Sequence, residues 1–311
     1  MKHLKRYIYI SLFIIIILLL CIFLKNNLNE VKQTISKISF TDFLILSISS
    51  MIGITLNGYK IKILTRHYKL KLKLKEWFGL SIITTMSNYL APLGFGVSLK
   101  GVYLKKKYKF PYKLFIATLA ISYLTSFLLY GFLGILIIVY IYLKYNFFNI
   151  ILLSIFLIIF LANLTLILIS PKIKHTKNKF LNQFIEIINN WNTMKKDWRL
   201  LIKLTINDFL SLINYSLRIY FIFYILSNKI SFMFSTLMSL LSMSSLIIGL
   251  TPAAIGIKEI IIIYFTTIIG KSLDLGIIVA AIDRGLGIFY AFILGSIFSY
   301  VLLKNLQVKN P

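Results

Sequence analysis

Asp208, Arg218, Asp283, Arg284 and the adjacent pair Lys258-Glu259 are charged residues set inside long apolar stretches of the chain. A charge at membrane depth is costly, so it is normally paired or put to use. Asp208 and Arg218 are ten residues apart in one stretch, about 15 Å along a helix axis. Each is therefore expected to pair with a different helix. Glu259 is expected to pair with Arg284. Such charges can hold a headgroup or act as a base, and the plainer alternative is an ion pair that only fixes helix packing. Asn57, Asn88, Asn163, Asn207 and Asn214 can bridge helices. Asn88 stands out because it directly precedes a break in its apolar run.

Two such breaks occur. Ala91-Pro92-Leu93-Gly94-Phe95-Gly96 and Gly249-Leu250-Thr251-Pro252-Ala253-Ala254-Ile255-Gly256 cannot remain regular helix. In each, a proline (Pro92, Pro252) is followed four residues on by a glycine (Gly96, Gly256) and then by a basic residue (Lys100, Lys258). Broken backbone at membrane depth survives only where protein or water satisfies it, so both breaks are candidate site walls. Catalytic and metal patterns are missing. His3, His67 and His175 lie in basic segments away from any carboxylate or Cys cluster, and no HExxH or GxSxG occurs. Gly94-Phe95-Gly96 lacks the preceding strand and third glycine of a dinucleotide loop. No metal and no cofactor is expected.

The elements that must carry these residues follow from the charge distribution. Apolar residues make up 59% of the 311, and charged residues only 14%. Tyr7–Leu24, Leu114–Leu143 and Phe147–Ser170 are uncharged runs of 18, 30 and 24 residues, against about 20 needed to cross the hydrocarbon core. Backbone in lipid must satisfy its own hydrogen bonds, so these runs are expected to be helices. The net charge of +26 would suggest nucleic acid in a soluble protein. Here no soluble domain remains to dock on a duplex, and nucleic acid is excluded as a partner. Cys21 stands alone inside the first run, so no disulfide framework exists. The basic start, residues 2–6, leads into a run too long for a signal peptide and without a small-residue cleavage site.

Basic residues assign the sides. Segments 2–6, 60–75, 100–113, 171–203 and 304–309 hold 26 of the 35, and under the positive-inside rule they face the cytoplasm with both termini. The uncharged run Trp77–Leu99 would put one of two strongly basic loops outside if it spanned. It is therefore expected to be a re-entrant hairpin. The run 230–257 holds the second break. The expected fold is an all-α polytopic bundle of about six spans (7–24, 43–59, 114–141, 148–170, 201–226, 275–303) plus two Pro/Gly-broken hairpins (77–99, 231–270). It forms a single domain, 1–311, whose halves, roughly 1–145 and 146–311, are inverted repeats because each holds three spans. Matching broken helices in inverted halves point to a transporter-like site. Residues 60–76 and 176–199 are expected to lie as basic or amphipathic segments on the cytoplasmic surface.

These motifs resemble the transmembrane, flippase-like domain of lysylphosphatidylglycerol synthases. The first, Asn88-Tyr89-Leu90-Ala91-Pro92 followed by Gly96-Val97 and Lys100, has Val97 where the family carries Glu and Lys100 where Arg is usual. The second is Pro252, Gly256, Lys258 and Glu259, with Lys258 where Arg is usual, followed by Ala280-Ala281-Ile282-Asp283-Arg284. The resemblance spans nearly the whole chain. It implies a prokaryotic plasma-membrane protein, without the soluble synthase domain, that translocates a phospholipid or lipid-linked headgroup. Asn88, Pro92, Gly96, Lys100, Pro252, Gly256, Lys258, Glu259 and Arg284 would form the binding site, with Asp208, Arg218 and Asp283 as intramembrane charges. The expected partners are anionic lipids and a separate lipid-modifying enzyme. The alternatives are a small-anion transporter, or a membrane transferase using Asp208 or Glu259 as base.

Overall fold

The computed structural model describes residues 38–91, 94–168, 179–248 and 251–307. The expected first span (7–24), the segment 2–6, Cys21 and Pro92 lie outside the described residues. Among the described residues there are ten α-helices and no strand: α1 (Phe40–His67), α2 (Leu74–Leu90), α3 (Phe95–Tyr108), α4 (Tyr112–Tyr145), α5 (Ile150–Leu168), α6 (Lys179–Met194), α7 (Trp198–Ile225), α8 (Phe232–Ile248), α9 (Ile257–Ile268) and α10 (Leu273–Gln307). A 3-10 turn, Pro252–Ala254, joins α8 to α9.

Helices α1, α4, α5 and α10 are long and apolar enough to cross a membrane. Helix α7 has 28 residues, about 42 Å of length, but is less apolar because it carries Lys203, Asp208 and Arg218. The protein is thus a polytopic helical membrane bundle. Helix ends follow their local chemistry. Ser39 caps α1 reciprocally with Asp42, and Arg66 and His67 lie at the negative end of the same helix. Asp197 caps α7 by accepting from the Leu200 N–H at 3.1 Å.

The two broken segments form helical hairpins. Helices α2 and α3 have 17 and 14 residues, each shorter than the roughly 20 needed to span. Their open end is tied together. Buried Glu76, at the start of α2, accepts from Tyr103 at 3.0 Å and Tyr108 at 2.7 Å and pairs with Lys107 at 2.6 Å, all near the end of α3. Leu72 before the hairpin and Phe110 after it share one buried cluster with Trp77, Leu80 and Tyr103. The chain therefore enters and leaves this hairpin at one level.

The element order repeats: long helix, broken hairpin, long helix, as α1, α2–α3, α4 and again as α7, α8–α9, α10. Packing is exchanged between the two sets. Helix α2 lies along α10, with Gly79 near Phe298 and Met86 near Gly295. Helix α8 lies along α4, with Tyr145 near Phe234 and Tyr130 near Met243. Both pairs are antiparallel. Helices α1 and α7 are antiparallel too, since Lys60 meets Asp208 while Ser50 meets Arg218.

One expectation is corrected here. Residues 60–67 are not part of a surface segment. Ile61, Ile63 and Leu64 are buried, so the apolar pattern carries α1 on to His67, and only 68–73 form the connection. The stretch 176–199 does contain an amphipathic helix, α6. It packs along α4, and its Trp191 and Met194 bury against Ile63, Leu64, Leu200 and Leu204.

Candidate functional site

The helices around the bundle centre each carry a polar stripe at helical spacing. On α1 it is Ser50, Gly53, Asn57 and Lys60, and on α7 it is Asp208, Ser211, Tyr215 and Arg218. Both step by three, four and three residues, which keeps them on one face. Helix α2 adds Ser81, Thr84 and Asn88, α4 adds Ser122 and Ser126, and α10 adds Asp283, Arg284 and Gly287. Together with both breaks they enclose a cavity of about 680 Å³.

Its charges are paired across helices. Lys60 Nζ lies 2.7 Å from Asp208 Oδ1, and Ser126 donates to Asp208 Oδ2 at 2.8 Å. Asp283, almost fully buried, is shared: Arg218 Nη2 lies 2.8 Å from Oδ1, while Lys258 and Tyr215 donate to Oδ2 at 2.5 and 3.1 Å. The Tyr215 ring also faces cations, with Arg218 at 4.8 Å and Lys258 at 4.6 Å from its centroid. Arg284 pairs with Glu259. As expected, Asp208 and Arg218 pair with other helices, and Glu259 pairs with Arg284. Lys100 lines the cavity from α3 and, among the described residues, has no carboxylate within ion-pair distance. Five cations thus stand against three carboxylates, a formal surplus of two positive charges. Unpaired positive charge in a low-dielectric cavity favours an anionic ligand.

The motif residues divide by what they touch. Asn88, Lys100, Lys258, Arg284, Asp208, Arg218 and Asp283 line the cavity, and Gly96, Pro252, Gly256 and Glu259 do not. The last four shape the breaks. Asn88 Oδ1 accepts from the Gly96 N–H at 2.9 Å, closing the first hairpin. A Cβ on Gly96 would fall on the Thr84 carbonyl oxygen and 2.8 Å from Asn88 Oδ1. Gly256 has φ +86°, a conformation that favours glycine, and its N–H donates to Glu259 Oε2 at 2.8 Å. Ala253 and Ala254 also have positive φ, 47° and 55°. Arg284 donates to both of their carbonyls, at 2.9 and 3.4 Å, which stabilises a turn that alanine disfavours. Asn214 bridges to α1 by donating to Ser49 O at 3.0 Å, whereas Asn163 bonds only within α5.

Two residues of the cavity fall outside the motifs: Lys60, which belongs by charge to the basic segment 60–75, and the aromatic partner Tyr215. The signal for Lys60 was present: it continues the Ser50, Gly53, Asn57 stripe.

A family model described as the lysylphosphatidylglycerol synthase TM region matches residues 8–295. A search of curated proteins and a search of solved structures each return no match. The matched region takes in both breaks and every charged residue lining the cavity, and the chain belongs to the lysylphosphatidylglycerol synthase transmembrane-region family.

Proposed function

We propose that the cavity takes the anionic headgroup of a phospholipid or lipid-linked substrate and carries it across the bilayer, while the acyl chains stay in lipid. The observation that supports this reading is the surplus of positive charge around one cavity of about 680 Å³, within the size range of sites that hold small organic groups. Lys100 offers a cation with no carboxylate partner among the described residues, suited to a phosphate oxygen. Val97 stands where the family carries a carboxylate, which removes a negative charge from the same wall.

In this reading the α2–α3 hairpin enters and leaves the membrane on one face, and α8–α9 mirrors it from the other. The exchanged antiparallel packing of α2 on α10 and α8 on α4 supports an inverted repeat. The basic segments face the cytoplasm, with both termini on that side of a prokaryotic plasma membrane. The protein moves substrate rather than transforming it. Asp208 is held by Lys60 and Ser126, and Glu259 by Arg284 and Gly256, so neither is presented as a free base.

Proteoliposomes carrying headgroup-labelled anionic or cationic lipids test this. Protein-dependent transbilayer movement of the anionic lipid, reduced by Arg284→Ala, is expected. Unchanged movement with both Glu259→Gln and Arg284→Ala would exclude the site, and conversion of the lipid to a new product would favour a transferase.

A further inference from the structure

A second basic pocket lies on the other side of the α1–α7 seam. It has a volume of about 330 Å³ and is lined by Tyr59, Lys62, Arg66 and His67 at the end of α1, and by Asp197, Arg199 and Lys203 at the start of α7. None of its lining residues lines the central cavity. The α1 residues Ser50, Asn57 and Lys60 face the cavity, whereas Tyr59, Lys62 and Arg66 face away from it.

Four permanent cations here meet one carboxylate, and that carboxylate is already engaged. Asp197 caps α7 through the Leu200 N–H and lies 3.0 Å from His67 Nδ1. Lys62, Arg66, Arg199 and Lys203 have no ion pair among the described residues. Instead Lys62 stands 5.3 Å from the Tyr59 ring centroid and 5.4 Å from that of Trp77. Arg199 stands 5.6 Å from the ring of Trp198. Trp198 is 63% exposed and Tyr59 42% exposed. Exposed Trp and Tyr beside Lys and Arg at the ends of membrane helices mark headgroup depth.

We propose that this pocket is a separate binding site for a phosphate group carrying two or more negative charges, presented by a membrane lipid at the basic end of the α1–α7 seam. Two arginines and two lysines converging on one opening suit a phosphomonoester or a diphosphate, because guanidinium groups bind such oxygens in pairs. The aromatic neighbours favour a lipid source over a free ion. The site holds a lipid beside the transport cavity without contributing to it.

Trp198 provides a local reporter. The purified protein in phosphatidylcholine vesicles is titrated with brominated phosphatidate, with brominated phosphatidylcholine, and separately with inorganic pyrophosphate. Saturable quenching by phosphatidate at a lower mole fraction than by phosphatidylcholine is expected, with no response to pyrophosphate. Arg199→Gln/Lys203→Gln, both at exposed positions, should weaken phosphatidate binding about thirtyfold through the loss of two interfacial cations. Lys100→Gln should leave it unchanged, which separates this site from the cavity. A response to pyrophosphate that the double variant abolishes would retain the phosphate site and assign it to a free ion. Equal quenching by both lipids without any pyrophosphate response, or a double variant that behaves as the wild type, would overturn the proposal.

Discussion

Arg284 on α10 and Glu259 on α9 form an ion pair that holds both sides of the second break. Arg284 donates to the Ala253 and Ala254 carbonyls before α9, and Glu259 accepts from the Gly256 N–H at its start. The pair therefore positions the backbone that forms one wall of the cavity. Glu259→Gln should lower stability by about 3 kcal/mol, because it leaves a largely buried guanidinium uncompensated. Adding Arg284→Met should restore part of that loss. Thermal unfolding in detergent checks both, and an unchanged Tm for Glu259→Gln would show that the pair carries no such role.

The glycines at and beyond this break should respond in opposite directions. Gly256→Ala forces alanine to φ +86°, with ψ −47°, and should cost about 1–3 kcal/mol. Gly285 lies in helix α10 with nothing within 4 Å of an added Cβ, so Gly285→Ala should stabilise by about 0.5–1 kcal/mol. The same unfolding measurement reads both variants.

The hairpin reading of α2 and α3 predicts sidedness. With Cys21→Ser as background, Leu70→Cys and Lys105→Cys should react with an impermeant thiol reagent from the same face, as the Glu76 contacts to Tyr103 and Tyr108 lead one to expect. Labelling from opposite faces would make 77–99 a span and remove the inverted layout.

At the basic ends of α1 and α7, partial burial raises the Asp197 carboxyl. The Leu200 N–H and His67 outweigh that and hold it below its ordinary value of 3.8. A lowered folded-state pKa means the carboxylate stabilises the cap above the unfolded value, and that this stability is lost as pH falls through the folded value. Hydrogen exchange at the Leu200 amide, corrected for intrinsic rates, should therefore lose protection as pH falls below about 3.8. Asp197→Asn should remove that pH dependence. Protection that is insensitive to acid in the wild type would contradict the assignment.

Much of the architecture could be read from where charges are missing. Uncharged runs give α4, α5 and the 43–59 part of α1, because lipid leaves a polar backbone no choice but helix, while α10 is legible from its apolar length in spite of Asp283 and Arg284 within it. The breaks were legible because proline and glycine interrupt two further uncharged runs, 77–99 and 230–257, and the Arg284–Glu259 pair because both residues stand among apolar ones. Lys60 was missed for a physical reason. It stands just past the end of the expected span 43–59, where a lysine ordinarily reaches the interface, and that reading outweighed its place on the Ser50, Gly53, Asn57 stripe, which turns it toward Asp208. The sharing of Asp283 among Arg218, Lys258 and Tyr215 depends on three helices meeting, and no spacing within one segment encodes it. The roles of Gly96 and Gly256 also changed: they shape the hairpins and do not line the cavity.

The most direct test of the headgroup cavity is charge reversal at Lys100, measured as transbilayer movement of labelled anionic and cationic lipids in proteoliposomes. Lys100 has no carboxylate partner among the described residues, so Lys100→Glu breaks no ion pair of the fold and removes two units of positive charge from the cavity, its whole formal surplus. Movement of the anionic lipid should fall about tenfold or more, the scale of one charge-assisted hydrogen bond, while the protein keeps its Tm. Anionic movement at the wild-type rate in a folded Lys100→Glu protein would contradict the reading of this cavity as an anionic-headgroup site.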